Sequence, residues 1–92
     1  MKIPNKLKIG CHTFEVLFER EKKGGLSFDS SGKCSYYSNT ISINDGYPET
    51  QQAETFIHEI IHAINNEMSE TDVQFLAFSL AQVFIDNKIS FK

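Results

Sequence analysis

Ninety-two residues are enough for one domain and leave no room for two independent cores. An apolar share of 40% with eight phenylalanines is globular composition and excludes a disordered chain. The net charge of −3 is unevenly placed: residues 1–33 hold seven Lys/Arg against four acids, residues 34–87 eight Asp/Glu and no Lys or Arg, which excludes a basic nucleic-acid surface from the second half and suits a cation there.

The opening "MKIPNKLKIG" has lysines but no apolar run behind them, so it does not read as a secretory signal and the chain is expected in the cytoplasm. Strands follow. "KLKIG" (6–10) and "HTFEVLFER" (12–20) alternate apolar and polar residues, with Phe14, Val16 and Phe18 on the inner face and Gly10 at the turn between them. "EKKGGLSFDSSG" (21–32) reads as a loop. "KCSYY" (33–37) and "TISIN" (40–44) read as a hairpin turning at Ser38-Asn39, with Ile41 and Ile43 facing the core. Cys11 and Cys34 are too few for a disulfide framework and read as free thiols on neighbouring strands.

After the "DGYP" turn, Pro48 and Glu49 suit the first turn of a helix over about residues 49–67. Its apolar positions Phe56, Ile57, Ile60, Ile61 and Ile64 keep helical spacing. Ser69 is the expected N-cap of a second helix over about 70–87, stopped at Asn87. Val73, Leu76, Ala77, Leu80 and Phe84 form its stripe, widened by Phe75, Phe78 and Ile85. The apolar run "FLAFSLAQVFI" (75–85) is too short to span a membrane and is broken by Ser79 and Gln82. Strands first and helices after make an α+β fold, a small antiparallel or mixed sheet followed by two packed helices, in a single domain over 1–92.

The first helix contains His58-Glu59-Ile60-Ile61-His62. Residues four apart share a helix face, so the two imidazoles point the same way and can meet one tetrahedral ion. Glu59 lies one step round, near the ion without being a ligand, as a general base for metal-activated water requires. The pattern arises by chance in roughly a few per thousand chains of this length. The competing reading is a solvated helix face.

A third ligand is needed. No histidine follows His62, and His12 lies far upstream on a strand, so a carboxylate is the natural source: Glu67, Glu70 and Asp72 are the candidates. The competing reading of Glu70 and Asp72 is favourable charge at a helix N-terminus, worth ~0.3–1 kcal/mol. The strand before the metal helix (Thr40, Ile41, Ser42, Ile43 and Asn44) is a candidate edge to which an extended peptide adds by backbone hydrogen bonds. Tyr36, Tyr37, Tyr47 and His12 are candidate oxyanion donors.

"TFIHEIIHAIN" followed by "MSETDVQFLAFSLAQVFIDN", with the hairpin "GKCSYYSNTISIN" before them, resembles the small zincin-like proteins of phages and prophages. It is similar, more distantly, to the ImmA/IrrE-type zinc peptidase domain. The resemblance spans about residues 7–87 and rests on His58-Glu59-Ile60-Ile61-His62 together with the downstream acid–apolar pattern Glu70-x-x-Val73-x-x-Leu76-Ala77. It implies a zincin-like fold, Zn2+ held by His58 and His62, Glu59 as catalytic base, and Glu70 as third ligand with Asp72 second. The activity implied is that of a minimal metallopeptidase acting on a peptide or protein, a regulatory protein among them. The alternatives are a binding or regulatory module that keeps zinc as a structural staple, and a metal-free protein acting by contact alone. Neither nucleic acid nor membrane is an expected partner.

Overall fold

The computed structural model describes residues 2–19 and 31–90. Four strands precede two helices: β1 (Lys6–Ile9), β2 (His12–Glu19), β3 (Gly32–Ser35), β4 (Thr40–Asn44), α1 (Glu49–Ile64) and α2 (Glu70–Asp86). The α+β order expected from the sequence is the one found, with a mixed sheet. The sequence loop at 21–32 lies outside the described residues as far as residue 30.

The sheet order is β1-β2-β4-β3. β1 pairs antiparallel with β2 through the Gly10-Cys11 turn, where Gly10 takes a φ of 63°, a conformation open to glycine and strained for most residues. β4 pairs parallel with β2 on one side and antiparallel with β3 on the other. The expectation that Thr40, Ile41, Ser42, Ile43 and Asn44 form an edge is therefore corrected. Ile41, Ser42, Ile43 and Asn44 are all buried, as an interior strand demands; among the described residues the edge next to the helices is β3. Cys11 and Cys34 are both free, but Cys11 sits in the β1–β2 turn and Cys34 on β3, so they are not on neighbouring strands.

α1 starts at Glu49 behind Pro48, as expected, but stops at Ile64 because Asn65 turns extended. Glu67 thus falls in the interhelical turn, where its N–H donates to the Asn65 side chain. Ser69 caps α2 by accepting from the Asp72 N–H at 3.1 Å, and Asn87 ends it. No helix among the described residues is long and apolar enough to cross a membrane.

Two apolar clusters hold the layers together. Phe14, Val16, Ile41 and Ile43 of the sheet enclose Phe56, with Ile60 and Ala63 beside it. Ile57 and Ile61 face Val73, Ala77 and Ala81 of α2. Each fully buried large side chain, Phe56 above all, contributes roughly 1.5–3 kcal/mol. Phe18 is 40% exposed, because it reaches the rim where α1 begins, beside Glu49 and Gln52. Phe75 and Phe78, expected to widen the inward stripe, are 69% and 63% exposed. The face that meets α1 is the narrow one of Val73, Ala77 and Ala81, whose small side chains let the helices approach closely.

Gly32 fixes how closely α1 lies on β3. A Cβ there would come within 2.4 Å of Thr55 Cγ2 and 2.8 Å of the Ser42 carbonyl oxygen. Thr55 is stiff on its helix and the carbonyl belongs to the sheet, so neither yields freely. Gly32→Ala is expected to cost about 1–3 kcal/mol in urea unfolding, part of it recovered by Thr55→Ser in the same chain. An unchanged midpoint would show that the contact is not tight.

Candidate metal centre

Residues on a helix follow one another at about 100°. With Phe56 towards the sheet and Ile57 and Ile61 towards α2, the remaining strip of α1 carries Glu54, His58, His62, Thr55 and Glu59. Its α2 side meets Glu70, in the first turn of that helix; its β3 side meets Gly32 and Cys34. The strip lies in a polar groove between α2 and β3. One half of the groove is a cavity of about 220 Å3 lined by residues including Gln51, Glu54, Thr55 and Gln74. The other is lined by residues including Lys33, Cys34, Tyr36 and Asn66. His58, Glu59 and Glu70 border both halves.

At the junction, three donor groups converge. His58 Nε2 lies 3.1 Å from His62 Nε2 and 3.0 Å from Glu70 Oε2, while His62 Nε2 lies 3.0 Å from Glu70 Oε1. These contacts cannot all be hydrogen bonds, since each Nε2 carries at most one proton. If both are protonated, both donate to Glu70 and two N–H groups confront each other. If one is not, its lone pair faces the other imidazole or a carboxylate oxygen. A cation at the centre resolves the conflict. Two imidazole nitrogens and a carboxylate are a donor set suited to zinc, and a tetrahedron with bonds of about 2.0–2.1 Å has edges of ~3.3 Å, within a few tenths of an ångström of the observed triangle. The residues fit a divalent metal.

Glu59 lies beside the triangle and is only 7% exposed. Burial, with Glu70 adding repulsion, pushes its carboxyl up to about 7, bringing it near neutrality, where a general base works best. Burial and the nearby Glu59 push the Cys34 thiol up to about 11, so it stands protonated at neutral pH. Burial, then Cys34 and Glu59, raise Tyr36 above its ordinary value; its hydroxyl stays a donor and bonds to the His62 carbonyl.

Among the carboxylates weighed as third ligand, Glu70 reaches both histidines and is the one grouped with them. Asp72 lies two residues on, about 200° round α2, and Glu67 is in the turn; neither joins the cluster. Of the four oxyanion candidates, Tyr36 alone lines the groove. Tyr37 is fully exposed, Tyr47 offers its carbonyl to Gln52 at the start of α1, and His12 sits beside Cys11 at the β1–β2 turn. Gly32, Cys34 and Gln74 also line the groove, although the sequence marks none of them as a site residue. Only Gly32 left a trace, as a glycine entering a strand, a mark of close backbone approach.

A helix presenting two histidines and a glutamate, backed by a mixed sheet and completed by an acid from the next helix, defines a metallopeptidase-type domain. The chain belongs to the Peptidase_M78 family, the IrrE N-terminal-like domain, which matches residues 7–84. No curated protein and no solved structure matches the chain significantly.

Glu70→Ala is expected to weaken zinc, used as the probe metal, beyond the roughly 10–100-fold that loss of a ligand's supporting partner costs. Asp72→Ala should leave zinc affinity unchanged and remove only ~0.3–1 kcal/mol of helix-end stabilisation. Equal loss from both variants in a zinc titration would contradict the assignment.

The buried base also sets a pH dependence. In the metal-free protein the Glu59 pKa is raised from 4.5 to about 7, so between these values the folded state binds more protons than the unfolded. Its stability therefore falls as pH rises through that window. Above it, the deficit is on the order of 3 kcal/mol. Metal-free Glu59→Gln should melt above the parent at pH 8 and no higher at pH 4. A difference independent of pH would contradict this.

Proposed function

We propose that the domain is a zinc-dependent peptidase of the small phage and prophage type, active in the cytoplasm on a peptide or protein, a regulatory protein among the candidates. The observation that carries this reading is the convergence of His58, His62 and Glu70 beside a buried Glu59. A metal staple has no use for a buried carboxylate that raises the energy of the fold; a hydrolase does. The two free thiols fit a reducing compartment.

When bound, zinc supplies Lewis acidity: it lowers the pKa of a coordinated water towards ~7 and polarises a carbonyl. The chain's own groups do the rest. The Glu59 carboxylate takes the proton of the attacking water and passes it to the leaving amine. Tyr36 at the groove wall would serve as oxyanion donor by turning its one hydroxyl proton from the His62 carbonyl to the substrate. The sheet edge offered to an extended substrate is β3. The bond from the Asn44 N–H to the Ser31 carbonyl, 2.8 Å, sets the phase of that ladder. Lys33 and Ser35 accordingly direct their backbone groups to β4, and Cys34 turns its own outward for β-addition.

The test is zinc content and peptide cleavage measured on the same preparations. The parent should bind about one zinc per chain and cleave, while Glu59→Gln should keep its zinc and lose roughly 10²–10⁴-fold in rate. Undiminished cleavage by Glu59→Gln would remove Glu59 from the role of base.

A further inference from the structure

The half of the groove before the histidines holds a carboxylate that the metal-holding groups do not use. The half lined by Gln51, Thr55 and Gln74 contains Glu54; the half beyond the histidines contains Lys33. Glu54 is four residues before His58, as His58 is before His62, so all three side chains share one face of α1. Gln74 of α2 donates to Glu54 Oε2 at 2.8 Å, which holds one carboxylate oxygen against α2. No cationic side chain among the described residues pairs with Glu54.

A bound divalent ion does not engage this carboxylate. Zinc ligands bind as neutral imidazole and carboxylate. The ion would be held by His58, His62 and Glu70, so the Glu54 carboxylate one helical turn away stays available to a cation whatever the charge of Glu59. Among the described residues, the lining of this half other than Ser31 and Gly32 comes from residues 51–74, a stretch without Lys or Arg.

We propose that Glu54 is a specificity-determining residue that receives a cationic group of the substrate, an ammonium or guanidinium, on the side of the metal centre away from Lys33. The inference rests on the metallopeptidase reading above. One helical turn is about 5.4 Å and an extended residue about 3.3 Å. The group is therefore carried by a residue one or two positions from the scissile bond. Its source is a Lys or Arg side chain; a free peptide N-terminus offers the same chemistry.

The test uses the zinc-loaded full chain carrying Glu59→Gln, with fluorescent peptides on a neutral scaffold. Each peptide is N-acetylated and holds a single Lys or its uncharged analogue norleucine at successive positions. Lys at one position should tighten binding roughly tenfold, as a charge-assisted hydrogen bond does. Adding Glu54→Gln, which keeps an oxygen for Gln74 to reach, should abolish that difference without changing zinc content, and Glu54→Lys should transfer the preference to Glu-containing peptides. If a free terminus gives the Glu54-dependent gain and Lys does not, the cation is the terminal amine. Equal affinity for charged and uncharged peptides, or a preference that survives Glu54→Gln, overturns the inference. Zinc content measured alongside separates the two levels: zinc bound without charge preference removes this inference alone, and no zinc bound removes the metallopeptidase reading with it.

Discussion

The rotation of α1 about its own axis governs everything at the site. The helix is gripped on two faces: Phe56, with Ile60 and Ala63, enters the sheet, and Ile57 and Ile61 enter α2. Those contacts leave one strip free, and the strip carries His58 and His62 one turn apart. A helix held on one face only could rock and spread the imidazoles over many directions. Held on two, it presents both Nε2 atoms to the same point. Gly32 adds a third constraint by bringing β3 against Thr55 and beside Glu59, which closes the groove on the side opposite α2.

The same packing imposes an electrostatic cost that the site turns to use. Glu59 lies at the margin between the free strip and the sheet, so it loses water without losing contact with the groove. Its proton affinity rises with burial, and Glu70 raises it further. Three donors drawn to within 3.0–3.1 Å of one another add a second frustration that a cation relieves. A domain of 92 residues has limited core to set against such terms, so metal affinity and fold stability are linked here. Glu54 fits the same pattern: it is bonded to Gln74 but has no cationic partner among the described residues.

Features set by short-range spacing were legible in the sequence. His58, Glu59 and His62 needed only helical periodicity, and Ser69 announced the second helix by its capping chemistry. Features set by long-range pairing were not. Thr40–Asn44 read as an edge because the hairpin with β3 is local, whereas its parallel partner β2 lies more than twenty residues away and leaves no mark on the strand beyond its burial. The choice between Glu70 and Asp72 turned on how α2 packs against α1, fixed by Val73, Ala77 and Ala81; spacing alone treats the two acids alike. Phe75 and Phe78 were misplaced for the same reason, since α2 is apolar on more than one face and composition does not say which face is inward. Family membership supports the metallopeptidase class, while the donor triangle is what ties it to particular atoms.

The claim at the centre is an open metal site of two imidazoles and one carboxylate, and X-ray absorption spectroscopy of the zinc-loaded protein tests it directly. Cys34 lines the same groove, so a closed structural site would recruit its sulfur. A shell of nitrogen and oxygen scatterers at about 2.0–2.2 Å is expected, with the multiple scattering of two imidazoles and no sulfur. A sulfur shell at about 2.3 Å, lost in Cys34→Ser, would contradict it and make the zinc a staple.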